Sequence, residues 1–191
     1  MPHQFIEYDK FGFWEEFLCW RIGMKNLLVM ANYNTWVNAQ IFEVCRKISD
    51  NQYRKDLGAF FGSIHNTLNH ILLVDILYLG RLKGEANDHI HSLKQVLYDD
   101  LDSLADARVE VDSKLTEYVQ ALHQNDLKTQ VRYTRMSGEV CEENMEDILL
   151  TLFNHQTHHR GQVHTMLTQS GIEKSEMPDI DLVDYLASAK A

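Results

Sequence analysis

Proline is almost missing from this chain: of 191 residues only Pro2 and Pro178 are proline, and both lie near the ends. The interior therefore carries no residue that removes a helical hydrogen bond and clashes with the preceding turn, so long helices are permitted. Cysteine is scarce too. Cys19, Cys45 and Cys141 are odd in number, widely spaced and in no Cys-x-x-Cys arrangement, which argues against a disulfide framework and against a cysteine-based zinc site. Positive charge is the minority, 18 Lys and Arg against 28 Asp and Glu, and a net charge of −10 repels phosphate backbones and anionic lipid. No nucleic acid is expected as a partner. No apolar run reaches the roughly 18 residues of a membrane helix. Glu7, Asp9, Glu15 and Glu16 interrupt the N-terminus where a signal peptide would be basic and then apolar. A cytoplasmic chain without a membrane segment is the expectation.

What is present is an ordinary globular balance, 45% hydrophobic and 24% charged, with helical periodicity throughout. A first long helix fits Met24 to about Ile48, where Leu27, Met30, Tyr33 or Asn34, Val37, Ile41 and Val44 recur every three or four residues, and Ser49, Asp50 and Asn51 stop it. A second fits Ser63 to about Lys83, with Ser63 as N-cap and Gly84 just past its end. A third fits about Tyr98 to Leu122, its stripe carried by Leu101, Leu104, Ala105, Val111, Leu115 and Val119; the acidic run Asp99–Asp102 reads as a solvated helix start. A fourth fits Asn144 to about Gln169 and closes at Gly171. Between the last two, Thr129–Arg135 alternates polar and apolar residues, which predicts a short extended segment. The expected fold class is all-α, a four-helix bundle over residues 24–191. Residues 1–23 form an aromatic N-terminal extension (Phe11, Phe13, Trp14, Phe17, Trp20), expected to pack on the bundle or on a second subunit.

The chemistry lies in the histidines. His155 and His159 are four residues apart and so share a helix face. They fall in a stripe with Ile148, Leu152, Gln162 and Met166, which points them inward; His164 comes out nearly opposite and His158 on the flank. On the second helix, Asn66, Thr67, His70, Leu73, Val74 and Leu77 form the inward stripe, and His65 lies on the far side from His70, so the two should not both line the core. A single core histidine is usually a packing residue. Three together are costly to bury without partners, and a shared metal satisfies all three acceptors at once.

At these residues the chain resembles the DinB (DinB/YfiT-like, damage-inducible) family of metal-dependent bundle proteins. The resembling parts are Met24-Lys-Asn-Leu with Tyr33-Asn-Thr-Trp36-Val-Asn38, Gly62-Ser-Ile-His-Asn-Thr67-Leu-Asn-His70 with Asp75 and Gly80-Arg81, Asn154-His155-Gln-Thr-His-His159-Arg-Gly-Gln162, and the closing Asp181-Leu-Val-Asp-Tyr185-Leu. The resemblance implies an up-down-down-up bundle, a homodimer, and a divalent ion, nickel or zinc, on His70, His155 and His159. It implies no single reaction: some relatives are transferases or isomerases that use a low-molecular-weight thiol.

Three neutral imidazoles leave an ion's double charge uncompensated, so a bound water or thiol ionises readily. Neither inward stripe offers an Asp, Glu or Cys to close the site. Gln162 is expected to orient water or substrate, or to support a ligand histidine, or merely to pack. Arg160 can bind an anionic substrate, but a surface ion pair is the favoured reading. Asn66 and Thr67 can shape a cavity or simply cap the helix. Tyr33, Asn34 and Trp36 can line a pocket mouth, though such residues are more often core. The leading expectation is a metal-dependent enzyme, a thiol S-transferase or a hydrolase acting through metal-bound hydroxide. The competing expectations are a non-catalytic stress-response protein stapled by its metal and a dimeric interaction module with packed core histidines.

Overall fold

The computed structural model describes the backbone of residues 12–190 and the side chains from Met24 to Lys190. Four long helices dominate it: α1 (Gly12–Cys45), α3 (Ile64–Lys83), α4 (Leu101–Ala121) and α5 (Met145–Gln169), with the shorter α2 (Asp50–Arg54) and α6 (Leu182–Ser188). The expected all-α bundle is what this chain forms. Each boundary has a local cause. Ser63 Oγ accepts from the Asn66 N–H at the start of α3, and Gly84 closes that helix in the left-handed region at φ 69°. Asp100 caps α4 through the Ser103 N–H, so the acidic run is a helix start, three residues later than its apolar pattern suggests. Ser49 does more than stop α1: with Gln52 it forms a reciprocal capping box that begins α2. Helix α1 runs unbroken from Gly12, so Met24 is not a helix start; the expected packing of residues 1–23 lies outside the described side chains.

The extended segment is half of a hairpin. Strand β1 (Gln130–Thr134) pairs antiparallel with β2 (Val140–Asn144), Tyr133 facing Cys141 and Val131 facing Glu143. The second strand escaped the sequence because its composition, Val-Cys-Glu-Glu-Asn, offers no buried face; its residues are exposed or half-buried.

Side-chain bonds give the helix directions. Tyr118 near the end of α4 bonds the Leu82 carbonyl near the end of α3, while Asn69 near the start of α3 holds the Leu97 and Tyr98 amides just before α4. Helices α3 and α4 are therefore parallel, and residues 84–100 must travel back along α3. Asp112 of α4 meets Asn34 and Asn38 of α1, and Arg46, just past the end of α1, reaches Asp102, so α1 runs opposite to α4. Gln52, just after α1, bonds the Ser170 carbonyl just after α5, which makes those two parallel. The result is up-down-down-up. Gly80 marks where the return loop presses on α3, since a Cβ there would lie 2.0 Å from Asn87 Nδ2.

A polar belt divides the core. One apolar half gathers Val37, Ile41, Ile71, Leu104, Val163 and Leu167; the other gathers Leu27, Leu79, Leu115, Val119, Ile148 and Leu149. Between them all four long helices contribute buried polar groups. Asp75 Oδ2 accepts from Arg108 Nη1 at 2.5 Å and from Gln156 Nε2 at 2.8 Å. Asp112 accepts from Asn34 at 2.7 Å and Asn38 at 3.0 Å, and lies 2.8 Å from Arg108 Nη2, an ion-pair contact without a hydrogen bond's alignment. Arg160, expected at the surface or on a substrate, belongs to this belt: it is 1% exposed, donates to Asn34 Oδ1 and packs over the Tyr33 ring. Burial pushes the Asp75 carboxyl up to about 6, against the pull of Arg108.

Candidate metal centre

The histidines sit beside the belt rather than in it. On α5 the innermost positions are Gln156 and Arg160, while His155 is half-buried and His159 buried, one residue around the helix from each. Both therefore point into the seam between α3 and α5. His70 meets them there from α3, and one ring nitrogen from each of His70, His155 and His159 lies within 4.8 Å of the others. The structure thus brings together the three histidines singled out by periodicity. Their Nε2 atoms are close, at 3.1 Å between His70 and His155. Bonds of about 2.0–2.1 Å in a tetrahedral arrangement require ligand atoms roughly 3.4 Å apart, so small adjustments would seat one ion.

The outer nitrogens orient the rings. His70 Nδ1 lies 2.8 Å from the Leu93 carbonyl, which can only accept, so that nitrogen carries the proton and Nε2 presents its lone pair. His159 Nδ1 donates to Gln162 Oε1 at 2.8 Å with the same consequence, and the Gln162 amide also contacts His158 Nε2 at 3.2 Å. Gln162 is thus a support for a ligand-type histidine, one of its expected roles. His155 Nδ1 is buried without a partner. Phe61 stacks on the His70 ring at 3.9 Å between centroids. Burial pushes His70 down to about 4, opposed by the Leu93 carbonyl, and pushes His155 down to about 3, aided by the neighbouring His159 and His70; burial lowers His159 as well. All three are neutral near pH 7, as ligation requires. Among the described residues no carboxylate or thiol joins this set, so it is open on one side.

That side faces a cavity of about 810 Å³ walled by α3, α5, the return loop and the hairpin. Asn66 and Thr67 do not line it: Asn66 is exposed, its side chain on the Phe61 carbonyl, and Thr67 bonds the Ser63 carbonyl within its own helix. Tyr33, Asn34 and Trp36 are away from it too, Tyr33 bonding the Ile180 carbonyl and Trp36 packing on Tyr185. His65 is buried after all, edge-on to Tyr53 of α2, because α3 is covered nearly all round. His164 is half-buried and outside the cavity. Sequence reasoning missed Tyr133, Arg135 and Glu143 from the hairpin, Leu93 and Lys94 from the loop, and Phe60 and Phe61 before α3. Only the inward alternation of Val131 and Tyr133 could have signalled any of them.

No helix among the described residues is long and apolar enough to cross a membrane. The DinB family model matches residues 24–190. The DinB protein of Bacillus subtilis strain 168 is 24% identical over 147 residues, which cover 74% of this chain and 84% of that protein. In fold, the chain is similar to a DinB-like protein from Bacillus cereus ATCC 10987, at a TM-score of 0.62 and 20% identity over 81% of this chain and 95% of that one. A DinB-like protein from B. subtilis is similar at a TM-score of 0.60 and 16% identity, over 80% and 97%. With a bundle of this topology, three histidines at its α3–α5 seam and a family match over nearly its whole length, the chain belongs to the DinB family.

Proposed function

We propose that His70, His155 and His159 hold a divalent ion, zinc or nickel, and that the protein is a metal-dependent enzyme acting on a small molecule in the adjoining cavity. The observation that carries this reading is three neutral imidazoles, two of them oriented by outer hydrogen bonds, with no fourth protein ligand among the described residues, opening on about 810 Å³ of space. When bound, the ion supplies Lewis acidity that lowers the pKa of a thiol or water in its open position. The chain's own residues do the rest. Leu93 and Gln162 hold the ring tautomers of His70 and His159, and Phe61 fixes the His70 plane. Transfer of a low-molecular-weight thiol is the favoured chemistry, with hydrolysis as the alternative within the same site. A homodimer is part of this proposal.

Protein purified without a nickel column or chelator should carry about one equivalent of divalent metal by elemental analysis, and His70→Ala should carry almost none. Metal-free wild-type protein, or an unchanged content in His70→Ala, would end the proposal. Chelation separates an enzyme from a stapled bundle. A staple loses much of its thermal stability and never consumes a thiol in the presence of an electrophile; the enzyme loses thiol turnover while its apolar core and belt keep it folded.

A further inference from the structure

The wall of the cavity carries a second recognition element at the end away from the histidines. His70, Val74, Leu77 and Arg81 are spaced four, three and four apart, so they form one stripe of α3, and all four line the cavity. Eleven residues separate His70 from Arg81, roughly 16 Å along the helix axis. The Arg81 guanidinium is held between two rings, its Cζ 4.8 Å from the centre of Tyr78 and 4.3 Å from that of Tyr133. Stacking of this kind occupies the faces of the guanidinium and leaves its N–H edges to donate.

Among the described residues no carboxylate lies within ion-pair distance of those edges; Glu85 and Asp88 border a neighbouring cavity that Arg81 also lines, without reaching it. Of the described arginines, Arg46, Arg54, Arg108 and Arg135 each contact a carboxylate, whereas Arg81, Arg132 and Arg160 do not; of these three only Arg81 lines the cavity, where Lys94 is likewise without an acid. The one carboxylate on the lining, Glu143, lies 3.4 Å from Arg135. In a chain with 28 acids and 18 bases, an unpaired arginine braced at a half-buried site is a local reversal of the overall charge. The intervening wall, Val74, Leu77 and Leu93, is apolar. A rigid cation at one end, three histidines at the other and a greasy span between them describe the molecule that fits.

We propose that Arg81, braced by Tyr78 and Tyr133, binds the oxyanion of the substrate, which is a small organic anion, a carboxylate or phosphate monoester, with an apolar body reaching toward the histidines. The proposal rests on the metal-site reading only for what the far end of the substrate does. Isothermal titration of the full chain, zinc-loaded and after chelator treatment, with 3-phenylpropionate, phenethyl phosphate and 3-phenylpropanol tests it. At least one anion should bind about tenfold more tightly than the alcohol in both forms, and which anion does so names the oxyanion. Arg81→Gln should bring the anions within about twofold of the alcohol.

Equal binding of alcohol and anions by the wild-type chain overturns the proposal, as does an anion preference that survives in Arg81→Gln. So does a preference seen only in the zinc-loaded form, which would assign the anion to the ion. Should Arg81→Gln melt well below the wild type, Arg81→Lys decides, since it keeps the charge and loses the planar fork: a three- to tenfold weaker preference supports the role and an unchanged one refutes it. Failure of the metal-site reading shows separately, as absence of zinc uptake, while the chelator-treated chain still reports on Arg81.

Discussion

Removing the Asp112 carboxylate should cost this bundle as much as truncating one of its largest apolar core residues. Asp112 accepts from Asn34 and Asn38 of α1 and lies against Arg108, whose remaining contact is Asp75 on α3. In Asp112→Ala the two amides lose their acceptor and Arg108, 3% exposed, keeps one of its two neutralising partners. Deleting one member of a buried ion-pair network costs about 3–5 kcal/mol, here through two buried amides left without their acceptor and an Arg108 charge only partly compensated by Asp75. Against a total stability of about 5–15 kcal/mol, that is a third or more of what holds the fold. At roughly 2–4 °C per kcal/mol for a chain of this size, the melting temperature should fall by about 6–20 °C. Urea unfolding followed by far-ultraviolet circular dichroism measures it, with Asp106→Ala as the control. Asp106 is an exposed acid on the same helix, so its removal changes net charge alone and should stay within about 0.5 kcal/mol. The reasoning is refuted if Asp112→Ala and Asp106→Ala unfold within about 1 kcal/mol of each other.

Gln162→Leu removes the acceptor that orients His159, and metal affinity should drop about 10–100-fold with the fold intact; competition against a chromophoric chelator reads it, and an unchanged affinity would show the amide to be idle. In the chelator-treated protein, stability should fall as pH is lowered from 8 to 5. The folded-state pKa values of His70, His155 and His159 lie below the ordinary 6.5, so below about pH 6.5 the unfolded chain takes up protons that the native one refuses. The loss grows until about pH 4–3; His65, also lowered by burial, adds to it, while Asp75, raised to about 6, works in the opposite sense, one group against four. Discounted for partial exposure, the net effect is on the order of 2–4 kcal/mol, and a melting temperature that is flat across this range would contradict it.

The apolar stripes of Val37 and Ile41, Leu104 and Leu115, Ile148 and Leu152 are all buried, and the caps at Ser63 and Gly84 are where the sequence predicts them, while the Asp100 cap starts α4 three residues later than its apolar pattern suggests. The same periodicity found the three histidines. It misjudged what lies at the centre because it reads polarity as exposure. Gln156, Arg160, Arg108, Asp112, Asn34 and Asn38 sit in stripes that look interrupted, yet each is buried with at least one polar partner among the others or Asp75, and that reciprocity is visible only in three dimensions. The Leu93 carbonyl that orients His70 is a backbone group and leaves no trace in residue identity. The belt and the site are nonetheless linked in the chain. His155 precedes Gln156, His159 precedes Arg160, and His70 lies five residues before Asp75, which bonds Gln156. An error of one residue in the register of α3 against α5 would break that bond and carry His70 roughly 1.5 Å along the seam. A purely apolar seam would tolerate such a slip; a buried carboxylate with two directional partners does not, so the polar centre defines the register that the three imidazoles need.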